Sequence, residues 1–203
     1  VWYQGESNTG NPAPYADYLK KLMGSWRACW QNEQMSFVIV QLANYDGRQQ
    51  TGFPRPMIPE VNPVNSRWAQ LREAQRLVAK SDPYAELAVI NDLGETVDIH
   101  PLRKKEVAER IGLYFDRLIY NNKVSLAPEV VASEIKGGKI ILSLDQDVEP
   151  TDIQSFEVAA QDGDRVFQNV KASAEGHQIT LTLPDGFHPL STAYAVRYAW
   201  KDN

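Results

Sequence analysis

Apolar positions along this chain follow two different periods, and the change falls near Asn121-Asn122-Lys123. Before that point, stretches with three- and four-residue spacing alternate with short, almost unbroken apolar runs. From Pro14 to Trp30, the residues Tyr15, Tyr18, Leu19, Leu22, Met23 and Trp26 make one stripe of an amphipathic helix. Met35 to Leu42 is a nearly continuous apolar run, the pattern of a parallel strand buried on both faces. Asn65 or Ser66 can cap a second helix reaching Lys80, with Trp68, Leu71, Ala74, Leu77 and Val78 inward. Ser81-Asp82-Pro83 breaks it, and Glu86 to Asn91 reads as the next strand. Arg103 to Tyr120 is a third helix, with Val107, Ile111, Tyr114, Phe115 and Leu118 on its inner face. With Val1-Trp2-Tyr3 as an opening strand, the order is strand, helix, strand, helix, strand, helix, a doubly wound α/β pattern.

After the change the segments alternate and turn. Lys139 to Leu144, Phe156 to Ala159, Gln178 to Leu183 and Ala193 to Tyr198 read as strands, with Gly137-Gly138, Asp162-Gly163 and Asp185-Gly186 at turns. This predicts an antiparallel β-sandwich section over residues 123–203, following an α/β part over residues 1–122. The polar, Pro- and Gly-rich stretch from Ala43 to Pro63 is too long for a plain connector and is either a packing loop or the border of a ligand pocket, where Tyr45, Phe53 or Trp68 could stack on a sugar.

Composition narrows the class without changing it. At 203 residues, 43% hydrophobic and 23% charged, the chain is globular rather than disordered. A formal charge of -5 with no Lys/Arg block argues against nucleic acid or an anionic membrane as partner. Cys29 stands alone, so no internal disulfide forms, and no metal-ligand spacing or phosphate-cradling Gly loop is present. That pattern argues against zinc, ATP and nicotinamide cofactors. No apolar run approaches membrane-spanning length and no signal peptide is visible. The chain lacks an initiator Met and opens inside a strand, which leads us to expect a missing N-terminal part and unpartnered apolar surface on Val1, Phe37 and Val38.

Two polar clusters carry candidate chemistry. Val1-Trp2-Tyr3 runs straight into Gln4-Gly5-Glu6-Ser7-Asn8, hydrogen-bonding side chains around one glycine at the end of a strand. Open α/β sheets bind ligands at such strand ends. The second cluster is Asp98-Ile99-His100-Pro101, which follows Asn91-Asp92-Leu93-Gly94. A carboxylate near an imidazole fixes its tautomer and stabilises the imidazolium, as hydrolytic catalysis requires. Residues i and i+2 of an extended segment share a side, so Asp98 can reach His100; Asp92, Glu95 or a backbone carbonyl are alternative orienters. His177 and His188 sit among turn residues and read as surface or structural. Arg72 and Gln75 share a helix face, where a salt bridge or helix–loop bond is expected.

These stretches resemble a known family. Trp2-Tyr3-Gln4-Gly5-Glu6-Ser7-Asn8, then Asp92-Leu93-Gly94 and Asp98-Ile99-His100-Pro101, look like the sialate O-acetylesterases, a branch of the SGNH hydrolases. Trp68 to Gln75 and Ala195 to Trp200 also look familial. The resemblance implies a three-layer SGNH-type parallel sheet, of which residues 1–122 would be the C-terminal part of the hydrolase domain. It implies His100 as general base and then acid, Asp98 as its partner, and Gln4, Gly5 and Asn8 on the oxyanion and substrate side. Glu6 would orient that loop by accepting backbone hydrogen bonds. The family's nucleophile is a serine in a Gly-Gln-Ser-Asn motif that does not occur here; many relatives also space the pair as Asp-x-x-His, where this chain has Val97 three back. The serine would lie in the missing N-terminal part, leaving this chain inactive alone, or Ser7 would take its place. Further implications are an acetylated sugar as substrate, no cofactor, and a periplasmic or secreted address. An acetylxylan-type esterase and a non-catalytic carbohydrate-binding protein are the rival readings.

Overall fold

The computed structural model describes residues 1–45, 66–95, 98–160, 166–183 and 194–200. Described residues as far as Leu126 form one compact unit, and Ala127 to Trp200 form a second.

The first unit is organised on β1 (Phe37–Val40), which pairs in parallel with β2 (Ala85–Ala88), Ile39 lying opposite Leu87. On its other edge β1 meets Trp2, again in parallel. Trp2 N donates to Val38 O and Val40 N donates to Trp2 O, both at 2.8 Å. Toward β2, Phe37 N donates to Tyr84 O and Gln41 N to Ala88 O. Alternate backbone groups of one strand thus serve opposite edges, and β1 is central.

Its side chains alternate between faces in the same way. Phe37 and Ile39 pack with Tyr15, Leu19 and Met23 of α1 (Tyr15–Cys29) and with Leu71 and Val78 of α2 (Arg67–Lys80). Val40 packs with Val107, and Val38 with Tyr114, both from α3 (Lys104–Leu118). Helices therefore cover both faces, the three-layer α/β arrangement that the resemblance implies. Val1 is exposed, but the apolar surface expected on Phe37 and Val38 is absent, because these helices bury both.

Local signals place the helices well. Ser66 caps α2, its Oγ accepting from Ala69 N at 2.9 Å. The inner stripes differ in detail, since Tyr18, Trp26 and Leu77 are exposed. On α2 the inner position near Leu77 is taken by Gln75, which is fully buried. The second strand is shorter than expected, because Asn91–Leu93 turns as a 3-10 helix. Most of the Ala43 to Pro63 loop, including Phe53, lies outside the described residues.

In the second unit, β3 (Val130–Lys136), β4 (Lys139–Ala160), β5 (Gln168–Thr182) and β6 (Tyr194–Tyr198) form one antiparallel sheet. Gly137 and Gly138, at φ 58° and 73°, make the two-residue turn between β3 and β4, where Lys136 pairs with Lys139. The antiparallel β section expected after residue 122 is present, with one refinement among the described residues: Lys139 to Leu144 and Phe156 to Ala159 are the two ends of one 22-residue strand, β4. Register shifts between Ser143 and Val148, Val148 and Thr151, and Ile153 and Phe156 bend it against β5. Both ends of β4 then share one core, with Ile140 and Leu142 in the same cluster as Phe156 and Val158. Across β4 and β6, Glu157 and Arg197 form a buried ion pair at 2.8 Å, with the guanidinium 3.6 Å over the Phe167 ring. The turns at Asp162-Gly163 and Asp185-Gly186 lie outside the described residues.

The start of β2 is tied to α1 by Arg27 and Asp82, whose carboxylate also accepts from Tyr84 N at 2.9 Å. Burial raises the Asp82 pKa, but the Arg27 hydrogen bond, the Tyr84 N–H and the Arg27 charge outweigh it, leaving the carboxyl below its ordinary 3.8. A folded-state pKa below the unfolded one contributes stability above 3.8 that is lost as pH falls through the folded value. Chemical denaturation should therefore show Asp82→Ala destabilised by about 1–3 kcal/mol at neutral pH, with the difference from the parent chain shrinking as pH drops below that value.

Candidate active site

Parallel strands end at the same edge, and the chain leaves the sheet there in three places. Gln4-Gly5 follows the Trp2 bridge, Gln41 to Asn44 follow β1, and Asn91 to Gly94 follow β2. Gly94 seats against Asn44 so closely that an added Cβ would lie 2.4 Å from the Asn44 carbonyl oxygen.

The opening loop is held from below by buried amides and a phenol. Gln75 Oε1 accepts from Leu42 N at 3.0 Å, and Gln75 Nε2 donates to Gln4 O at 3.1 Å. Tyr15 Oη donates to the same Gln4 O at 2.7 Å and itself accepts from Trp2 Nε1 at 3.1 Å. Burial pushes the Tyr15 phenol above its ordinary pKa, so it stays a protonated donor. Above this floor, Gln4 Nε2 donates to Asn8 Oδ1 at 2.8 Å. Glu6-Ser7-Asn8 is a single 3-10 turn closed by Asn8 N donating to Gly5 O at 2.8 Å. Glu6 serves the loop through its backbone rather than its carboxylate: Glu6 O accepts from Thr9 N and Thr9 Oγ1. Ser7 is exposed, and among the described residues no base hydrogen-bonds to it.

Asp98 and His100 come together as the spacing predicts. Asp98 Oδ1 accepts from His100 N at 2.8 Å, an Asx-type turn, and lies 3.7 Å from His100 Nδ1. The ring is 87% exposed. The pair sits on a segment pinned on both sides, by Gly94 on Asn44 and by Arg103 Nη1 donating to Asp92 O at 3.2 Å. No hydrogen bond joins it to the Gln4–Asn8 loop among the described residues. Asp92, an alternative orienter, is engaged elsewhere: its carboxylate takes both Arg110 nitrogens, with Nη2 at 2.9 Å. The Arg110 hydrogen bond, stronger than the opposing desolvation, holds Asp92 below the usual carboxylate range.

Other candidates resolve into structure. Trp68 is buried, donating Nε1 to Ala43 O at 2.8 Å with its ring 5.4 Å from that of Tyr45, so it is closed to a stacked sugar. Arg72 donates to Asn91 Oδ1 at 3.2 Å, and Gln75 makes the expected helix–loop bond. His177 links Leu144 O and Asp147 within the second unit, and His188 lies outside the described residues. Sequence reasoning missed the part played by Tyr15 and the reach of Gln75. A polar residue interrupting the apolar stripe of α2 was the available signal.

Comparisons with known proteins point to a family. Residues 1–84 match the family model described as carbohydrate esterase, sialic acid-specific acetylesterase, so the resemblance read from the sequence holds there. A solved carbohydrate acetylesterase from Xanthomonas citri superposes with a TM-score of 0.79 at 28% identity, covering 100% of this chain and 45% of its own. The chain thus spans less than half the length of that enzyme. Among curated proteins no match was found.

Gly5 is the tightest point of the loop. Its φ is 152°, and a Cβ would lie 2.7 Å from Leu71 Cδ2 and 3.3 Å from Gln75 Nε2. Gly5→Ala should lower stability by about 1–3 kcal/mol in a denaturant titration, through backbone strain and crowding together.

Proposed function

We propose that this chain is part of a carbohydrate O-acetylesterase that removes O-acetyl groups from sialic acids by serine-hydrolase chemistry, the premise being its match to the sialic acid-specific acetylesterase family. The observation that carries the reading is the family-matched Gln4–Asn8 loop leaving the sheet at its carboxyl edge, with Asp98 facing His100 Nδ1 on the segment that follows β2. In the proposed cycle His100 Nε2 takes the proton of a serine hydroxyl as the oxygen attacks the acetyl carbonyl. Asp98, 3.7 Å from Nδ1, holds the tautomer and steadies the imidazolium. Collapse of the tetrahedral intermediate returns the proton to the departing sugar oxygen. Water, deprotonated by the same nitrogen, then releases acetate. Gln4, Gly5 and Asn8 face the acyl oxygen.

The serine belongs to polypeptide outside these residues. Among the described residues exposed Ser7 has no base hydrogen-bonded to it. A periplasmic or secreted setting suits an acetylated glycan as substrate.

In the full-length enzyme, His100→Ala should reduce turnover of an acetyl ester by about 10³-fold or more with the fold intact by circular dichroism. Unchanged turnover would remove His100 from the mechanism. Comparing O-acetylated sialic acid with acetylated xylan decides the substrate. Turnover by the 203-residue chain alone, abolished by Ser7→Ala, would make Ser7 the nucleophile.

A further inference from the structure

Gln75 has no exposed surface, yet both ends of its amide are used on backbone that carries the proposed site. Its Oε1 takes Leu42 N at the end of β1, and its Nε2 reaches Gln4 O, where Tyr15 Oη arrives as a second donor. Two donors therefore fix the direction of one carbonyl. The Gln4–Gly5 peptide is trans, so its N–H points opposite to its C=O. With Gln4 O drawn inward toward α1 and α2, Gly5 N–H is turned outward, toward the loop's other face. Among the described residues that N–H has no hydrogen-bond partner, although Gly5 itself is buried. An oriented, unpaired backbone donor on a buried residue calls for an acceptor supplied from outside.

We propose that Gln75 is a positioning residue that, with Tyr15, locks the Gln4–Gly5 peptide so that Gly5 N–H is the donor to the acyl oxygen as it becomes an oxyanion. This deepens the esterase reading above and rests on it, since it names which group of the loop receives the charge. Gln4 and Asn8 are joined through Gln4 Nε2 and Asn8 Oδ1 and keep further amide N–H groups beside that donor. Gly5 alone suits the position, as a side chain there would press on Gln75 Nε2 itself. No bond to Gln75 changes in the reaction; its contribution is to prevent the peptide from turning over when charge appears.

The test uses the full-length enzyme with an aryl acetate and the matching aryl thionoacetate, whose sulfur accepts hydrogen bonds weakly. Gln75→Met keeps the volume and removes both bonds. Its kcat on the oxygen ester should fall about 10- to 100-fold, with KM held within about threefold. The ratio of oxygen- to sulfur-ester turnover should fall by a similar factor, because the lost interaction is specific to an oxyanion. Asp82→Ala, destabilised at the opposite edge of the sheet, should keep the parent ratio and kcat. Should Gln75→Met fail to fold, Tyr15→Phe removes the other donor to Gln4 O, and a smaller shift of the same ratio is expected. A ratio unchanged in whichever variant folds, or an equal kcat loss in Asp82→Ala, would overturn the assignment. Absence of ester turnover in the unmodified enzyme would instead overturn the esterase reading, and this one with it.

Discussion

Parallel strands end together, and where they end their backbone groups lose the partners that the ladder supplied. That constraint shapes the first unit more than any single packing contact. Beyond Val40 and Ala88 the chain must still satisfy amides and carbonyls in a region closed off from water. Helix α2 meets the need with side chains. Trp68 reaches Ala43 O, Gln75 takes Leu42 N and Gln4 O, and Gln41 returns the favour by donating to Arg72 O at 3.1 Å. The inner face of α2 is thus part apolar core and part surrogate strand. The loop after Trp2 stays in place because these bonds continue where the sheet stops.

Much of the α/β part was legible in the sequence because its signals were local. Three- and four-residue spacing located α1, α2 and α3, and an unbroken apolar run located β1. The nearness of Asp98 to His100 followed from their spacing, although an Asx-type turn brings it about rather than the extended segment expected. Less legible were contacts between residues distant along the chain. Gln75 to Gln4 spans 71 positions and Arg110 to Asp92 spans 18, and no periodicity encodes such reach. Tyr18, Trp26 and Leu77 fit the apolar stripes by spacing, yet burial is decided by what packs opposite, which the stripe does not state.

The second unit was legible in a different way. Alternation and turn residues found its strands, but bulges hide continuity. Lys139 to Leu144 and Phe156 to Ala159 look like separate strands because the polar stretch between them breaks the alternation. In the fold that stretch is where β4 slips register and bends, with Ser155 at φ 70° and Gly176 of β5 at φ 54° opposite Val148. A reading by periodicity counts such a strand twice.

The buried amide of Gln75 has a consequence for anyone altering this protein. By volume and surroundings its position invites a leucine or methionine, and a redesign guided by hydrophobicity would choose it early. Such a change trades hydrogen bonds for apolar contact in a place that already packs well, so heat resistance could survive it. What disappears is information: the relation between the end of β1 and the turn after Trp2 would no longer be specified by any bond from α2. A library screened for melting temperature would accept these variants, and a library screened for a fixed loop would not.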